Sequence, residues 1–149
     1  MRLGIQVIVP RHQVGVGIVG FNNQNQILLL RHVFHPKAPW GIPGGWLNRN
    51  EAPAACALRE LREETGITSA VLGPVIHISR EGPPPQLVIA YVAYIDRDPT
   101  SLSSEIIEWG WFYPDQMPGP QLPFIQLSIE KAVAFVQEPE QNWLHTTIG

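Results

Sequence analysis

Cysteine is almost absent: Cys56 is the only one in 149 residues. A single thiol makes no intrachain disulfide and no cysteine cluster for a metal. Charge is sparse too, at 15% of residues, against about 25% in an average soluble domain. Together with 44% hydrophobic residues, this excludes a disordered composition. Positive charge is the scarcer sign, with 10 Lys and Arg against 13 Asp and Glu, a formal net charge of -3. No basic stripe or tail exists to track the backbone of a nucleic acid polymer, so none is expected as a partner. Small anionic ligands are not excluded, because a bound divalent cation reverses the local sign. No apolar run approaches the roughly 20 residues of a membrane helix. The opening MRLGIQVIVP stops at Pro10, too short for the three-part pattern of a signal peptide. A cytoplasmic protein without a membrane contact is the expectation. The histidines show no HExxH spacing, which argues against zinc. No repeat or linker interrupts the chain, and its length suits a single domain over residues 1–149.

Strand and helix signals alternate along the chain. Residues 6–9 alternate weakly, and 14–21 (VGVGIVGF) and 27–30 (ILLL) read as strands around the turn NNQNQ. A loop with His35, Pro36, Lys37 and Pro39 precedes the short extended piece IPGGWL at 42–47. A helix is predicted over 52–65, with Gly66 as its C-cap. Strands at 71–80 and 87–95 flank the turn GPPP, residues 96–104 form a polar loop, and 109–113 is a last short strand. After a Pro-rich loop, a helix is predicted over 125–137. Two helices against one sheet of mixed strand direction make an α/β sandwich.

The helix at 52–65 carries the unusual chemistry. Stepping about one hundred degrees per residue from Glu60 puts Glu63 and Glu64 within about sixty degrees of it, on one face. Ala54, Leu58 and Leu61 fall on a different side, apolar and suited to the core. Like charges at these spacings repel by about 0.2–0.5 kcal/mol per pair. Glu63 and Glu64 also sit near the helix C-terminus, where the dipole favours cations. Arg59 and Arg62 relieve part of this, as on a solvated face of Glu–Arg pairs. The sharper reading is a hard-cation site, since Mg²⁺ takes carboxylate oxygens together with substrate phosphates. Gly44 and Gly45 let main chain approach a ligand without a Cβ in the way, and a carbonyl there completes such a shell. Glu51, near the helix start, is placed to reach Arg59 two turns on. Cys56, between two alanines, reads as a small core residue.

Gly45, five residues, Glu51, seven residues, Arg59-Glu60-Leu61, one residue, Glu63-Glu64, one residue, Gly66-Ile67: this is similar, without a substitution, to the signature of the Nudix hydrolases. Seven fixed residues at roughly 5% background each match by chance at about 10⁻⁹ per start position. The PGG before the signature and the WFYPDQMP near the end also resemble the family's layout. The resemblance implies an α/β/α sandwich with a curved mixed β-sheet. It implies hydrolysis of a pyrophosphate linkage in a nucleoside diphosphate joined to another moiety. It also implies Mg²⁺ or Mn²⁺ held by Glu60, Glu63, Glu64 and the Gly44 carbonyl. In such enzymes the base that activates water is a signature glutamate or one from a later loop. Glu105, which also counts as a metal ligand, is preferred here, and Glu108 is the alternative.

Substrate signals are weaker. Arg31, His35 and Lys37 precede the glycine loop and are candidates for phosphate contacts, or else solvent-facing loop residues. His32 and His77 read as structural histidines. Of the five tryptophans Trp40, Trp46, Trp109, Trp111 and Trp143, the first two flank the glycine loop and are candidates for stacking on a base. The expected ligand is a small nucleotide, a nucleoside triphosphate or a nucleotide-sugar such as ADP-ribose. A homodimer is compatible with the family but nothing in the sequence fixes it. Two other classes share the resemblance. One is a nucleotide-binding module without activity, whose acidic helix positions would be degenerate. The other is an isoprenoid-diphosphate isomerase, which needs a cysteine and a glutamate around a carbon double bond.

Overall fold

A computed structural model describes residues 11–138. The strand expected at 6–9 and Trp143 lie outside them. The elements run β1 (Gln13–Phe21), β2 (Ile27–His32), β3 (Trp40–Gly41), β4 (Gly44–Trp46), α1 (Pro53–Thr65), β5 (Val71–Glu81), β6 (Gln86–Tyr94), β7 (Ile106–Phe112) and α2 (Pro123–Gln137).

The seven strands form one sheet with β1 at its centre. On one side β1 pairs in parallel with β6 along its whole length, and β6 pairs antiparallel with β5. On its other side β1 forks. Its first half takes β4 (Gly15 opposite Trp46, Gly17 opposite Gly44), and its last residue takes β2 (Phe21 opposite Ile27). β2 then carries β3 and β7. One parallel pairing among antiparallel ones is the mixed sheet expected from the sequence.

Both faces of this sheet are covered, which explains why the central strands read as near-continuous apolar runs. Val16, Ile18, Leu28 and Leu30 point toward Ala57 and Leu61 of α1. The alternate residues Val19, Phe21, Ile27 and Leu29 point toward Ile125, Ile129 and Ala132 of α2. The result is an α/β/α sandwich with a core on each side of the sheet. Among the described residues, no helix is long and apolar enough to cross a membrane.

Two expectations need correction. Ala54 and Leu58 of α1 are exposed, and the core face is instead Cys56, Ala57, Leu61, Glu64 and Thr65. The helix is rolled so that part of its acidic side, not only its apolar side, is pressed to the sheet. The last strand begins at Ile106, three residues before its expected start. A register shift opposite Arg31 and His32 breaks its side-chain alternation there, and that hides the strand from a period-two search.

Candidate active site

β4 is a three-residue strand that pairs with β1 on one edge; among the described residues its other edge takes no strand, and α1 covers it. In an antiparallel pair, alternate residues turn both backbone groups away from the partner. On β4 these are Gly44 and Trp46. Glu64 Oε1 accepts the Gly44 N–H at 2.7 Å. The Trp46 carbonyl accepts from Arg59 Nη2 at 3.1 Å and from Cys56 Sγ at 3.5 Å. Between them, Gly45 lies so close to Glu60 that a Cβ would strike its carboxylate. A side chain there would push the Glu60 carboxylate aside, and at Gly44 a Cβ would strike the main chain of Val16 and Gly17.

Arg59 is the hub. Its Nε and Nη2 donate to the two oxygens of Glu51 at 2.7 and 3.0 Å, a bidentate pair. Its Nη1 donates to Glu60 Oε1 at 2.8 Å and to Glu63 Oε2 at 3.1 Å. Glu51 also accepts the Asn48 N–H at 3.0 Å. The Arg59 guanidinium and then that N–H hold the Glu51 carboxyl down at about 2. The contact between Glu51 and Arg59 anticipated from their spacing is thus present, and it ties the loop before α1 to the helix.

The three helix glutamates face different environments. Glu63 is exposed, Glu60 is partly covered, and Glu64 is only 3% exposed. Burial pushes the Glu64 carboxyl up to about 8; the Gly44 N–H opposes this, while the neighbouring charges of Glu60, Glu105 and Glu63 add to it. Burial likewise raises Glu60, against the pull of Arg59. His32 Nδ1 stands 3.8 Å from Glu64 Oε2. Burial lowers the His32 pKa, with His35 adding to the effect, so at neutral pH this is a contact with a neutral ring.

The loop at 96–105 completes the cluster by capping the end of α1. The N–H groups of Thr100 and Ser101 donate to the Thr65 carbonyl, and that of Ser103 to the Glu64 carbonyl, at 2.9, 3.3 and 3.2 Å. These fill helix carbonyls that lack an intrahelical donor. The Glu105 carbonyl accepts the Val33 N–H at 2.9 Å. The loop therefore delivers Glu105 to the end of β2, near enough to Glu60 and Glu64 to raise both. Glu108 instead pairs with Arg31 at 3.3 Å, both side chains well exposed.

The NUDIX domain model matches residues 11–133. The chain belongs to the NUDIX domain family. A MutT protein from Methanosarcina mazei has a solved structure that superposes with a TM-score of 0.70 at 25% identity, covering 88% of this chain and 99% of that one. An RNA pyrophosphohydrolase of Caulobacter vibrioides is 39% identical over 64 residues, 42% of this chain and 37% of that protein. Nudix hydrolase 25 of Arabidopsis thaliana is 36% identical over 61 residues, 41% of this chain and 34% of that protein. The matches thus take in little more than a third of the length of these curated relatives.

In this NUDIX domain the donor set fits a hard divalent cation. The donors are carboxylate oxygens that raise one another's pKa, and a cationic guanidinium already bridges two of them. As the side chains stand, no three described His, Cys, Asp or Glu groups converge on one point, and Arg59 Nη1 is bonded to both Glu60 and Glu63. The remaining candidates are dispersed. His35 and Lys37 are exposed on the loop after β2. Trp40 meets Phe112 edge-on within the core on the α2 side. Trp109 and Trp111 pack on the α1 side, where Trp111 donates to Asp98 at 2.7 Å. A cavity of about 420 Å³ lies at the far end of β1, between Phe21, Tyr113 and Val136, and none of the glutamates lines it. His32 had no sequence signal for its place beside Glu64, since that contact depends on how β2 runs past α1.

Proposed function

We propose that this chain is a divalent-metal-dependent pyrophosphohydrolase. Its substrate is a nucleoside diphosphate linked to a further group, a triphosphate or a nucleotide-sugar. The observation that carries this reading is Glu64. A buried carboxyl held to the Gly44 N–H, with Glu60, Glu63 and Glu105 around it, is expensive to ionise unless a cation completes it.

Glu60, Glu63, Glu64 and Glu105, with the Gly44 carbonyl, would hold Mg²⁺ or Mn²⁺. When bound, such an ion neutralises and orients the diphosphate and acidifies a water. The protein's own work is positional and acid–base. Glu51 anchors Arg59, and Arg59 must release Glu60 and Glu63 as the site loads while still holding the Trp46 carbonyl. Gly44 and Gly45 leave room for the diphosphate against main chain. Glu105 takes the proton of the attacking water as the bond to phosphorus forms. It is favoured over Glu108, whose carboxylate is occupied by Arg31. His35 and Lys37, exposed on the loop after β2, would meet outer phosphate oxygens, and Arg31 would do so from its exposed pair with Glu108. The name of the Caulobacter vibrioides relative adds an RNA to the substrates worth testing.

The isomerase reading loses support from Cys56. Burial, with the charge of Glu51, pushes this thiol up to about 11, and it is bonded under Arg59. The test is incubation with Mg²⁺ or Mn²⁺ and a panel of (d)NTPs, ADP-ribose, GDP-mannose, dinucleotide polyphosphates and a 5′-triphosphate RNA. Products are resolved by chromatography, with Glu64→Gln alongside. Cleavage at a diphosphate bridge, reduced roughly 10²–10³-fold in the variant, is expected. Folded protein that binds nucleotide and cleaves nothing would favour the binding module.

A further inference from the structure

His77 is a buried titratable group that the carboxylate cluster leaves unused. It lies on β5 and is only 8% exposed. Strict alternation would send Ile76 and His77 to opposite faces of the sheet. The register of β5 on β6 shifts between Val75 and His77, and an irregularity of this kind re-aims a side chain. Ile76 packs on the core that α2 closes, and His77 turns under α2 as well. Its ring is stacked on Phe124, with centroids 5.6 Å apart and 22° between the planes. Its Nδ1 stands 2.9 Å from Nζ of Lys131. Phe124 and Lys131 lie about two turns apart along the helix, so one ring engages α2 at both turns.

The partner fixes the state of the ring. An ammonium has three donors and no acceptor, so Nδ1 accepts from Lys131 and the ring proton is on Nε2. That Nε2 is buried and has no hydrogen-bond partner among the described residues. A second proton has only Nδ1 to go to, where it would replace the hydrogen bond by two facing cations. Neighbouring elements give no relief. The β6 residue opposite is Ala90, and the Ser128 hydroxyl of α2 is turned back to the Phe124 carbonyl at 2.8 Å. Among the described residues the charged groups that bear on the ring are Lys131 of α2 and Glu81 of β5. Glu81 is itself engaged by the Ser79 hydroxyl at 2.7 Å. Burial and then Lys131 lower the His77 pKa from its ordinary 6.5, with Glu81 opposing them.

We infer that the His77–Lys131 pair is an acid-sensitive latch that holds α2 against β5. Among the described residues it is the one hydrogen bond from an α2 side chain to the sheet. Protonation of the ring expels the Lys131 ammonium, whose side chain is free to move because the residue is exposed, and leaves a buried imidazolium under the helix. The folded state binds this proton less readily than the unfolded one. The latch is therefore closed above the ordinary value of 6.5 and opens progressively as pH falls below it. It stands apart from the carboxylate cluster and does not depend on the hydrolase reading.

The test is residue-resolved amide hydrogen exchange of the full chain between pH 7.5 and 5, read as protection factors in the wild type, His77→Phe and Lys131→Met. Protection of the α2 amides should fall relative to that of α1 below pH 6.5, by up to about tenfold for each pH unit, the slope of one coupled proton. His77→Phe keeps a ring against Phe124 without a titrating nitrogen and should flatten the response. Lys131→Met, a change on the helix surface, should lower α2 protection at pH 7.5 and make it less dependent on pH. The Cε1 proton resonance of His77 should titrate below 6.5 in the wild type and move toward that value in Lys131→Met. Wild-type α2 protection that follows α1 at every pH would overturn the inference. So would a His77 ring that titrates at the same pH with and without Lys131.

Discussion

Glu64 answers to two opposing demands, and pH separates them. Its carboxyl is pushed up to about 8, first by burial, from an ordinary value near 4.5. In the metal-free protein the folded state therefore holds a proton that the unfolded state releases. The destabilisation is complete above about pH 8 and fades as pH falls toward the ordinary carboxylate range. With chelator present, urea midpoints of the wild type should rise between pH 8.5 and 6. Glu64→Gln, which mimics the protonated form, should be the more stable protein at pH 8.5 and lose that advantage at low pH. Equal pH profiles would contradict the burial argument. Glu51 has the opposite sign. Its carboxyl is held at about 2 by Arg59, so its contribution is intact above the ordinary range and disappears as pH falls toward 2. Urea midpoints of wild type and Glu51→Gln should differ at pH 6 and converge on acidification.

At the scale of elements, the site depends on how α1 stops. Gly66 ends the helix at φ 78°, in the left-handed region. A Cβ there would meet the hydroxyls of Thr100 and Ser101. Gly66→Ala should cost about 1–2 kcal/mol from backbone conformation alone. It should also displace the loop that delivers Glu105, so turnover should fall further than urea stability does, measured on the same samples. A loss of stability with unchanged kcat would uncouple the cap from the site. Elements of this kind were legible in the sequence wherever local chemistry sets them: the glycine cap, the hairpin after Phe21, the amphipathic helices. The roll of α1 was not legible. Leu58 and Ala54 look like core on a helical wheel, yet the helix turns toward β4 because Glu64 and Arg59 satisfy its outward backbone groups. The start of β7 was hidden for a related reason, since the irregularity opposite Arg31 belongs to the pairing and not to either strand alone.

For the molecule as a whole, the proposed function makes the carboxylate cluster a link between folding and ion binding. The spacing from Gly45 to Ile67 announced which residues meet, but not that Arg59 bridges Glu60 and Glu63. That bridge holds the site together at a cost: one guanidinium cannot neutralise Glu60, Glu63, Glu64 and Glu105. An ion that binds the folded state alone stabilises it by about 2.7 kcal/mol at one hundred times its Kd, and by about 1.4 kcal/mol more for each further tenfold. Urea unfolding at rising Mg²⁺ should follow that slope for one tightly linked ion, and twice it for two, so the slope counts the ions. In Glu64→Gln the titration should shift to higher Mg²⁺, because the amide supplies no charge. In Glu108→Gln it should match the wild type, because that carboxylate serves Arg31. A flat response in the wild type would mean that the folded cluster does not bind the ion, and the metal-dependent reading would fall with it.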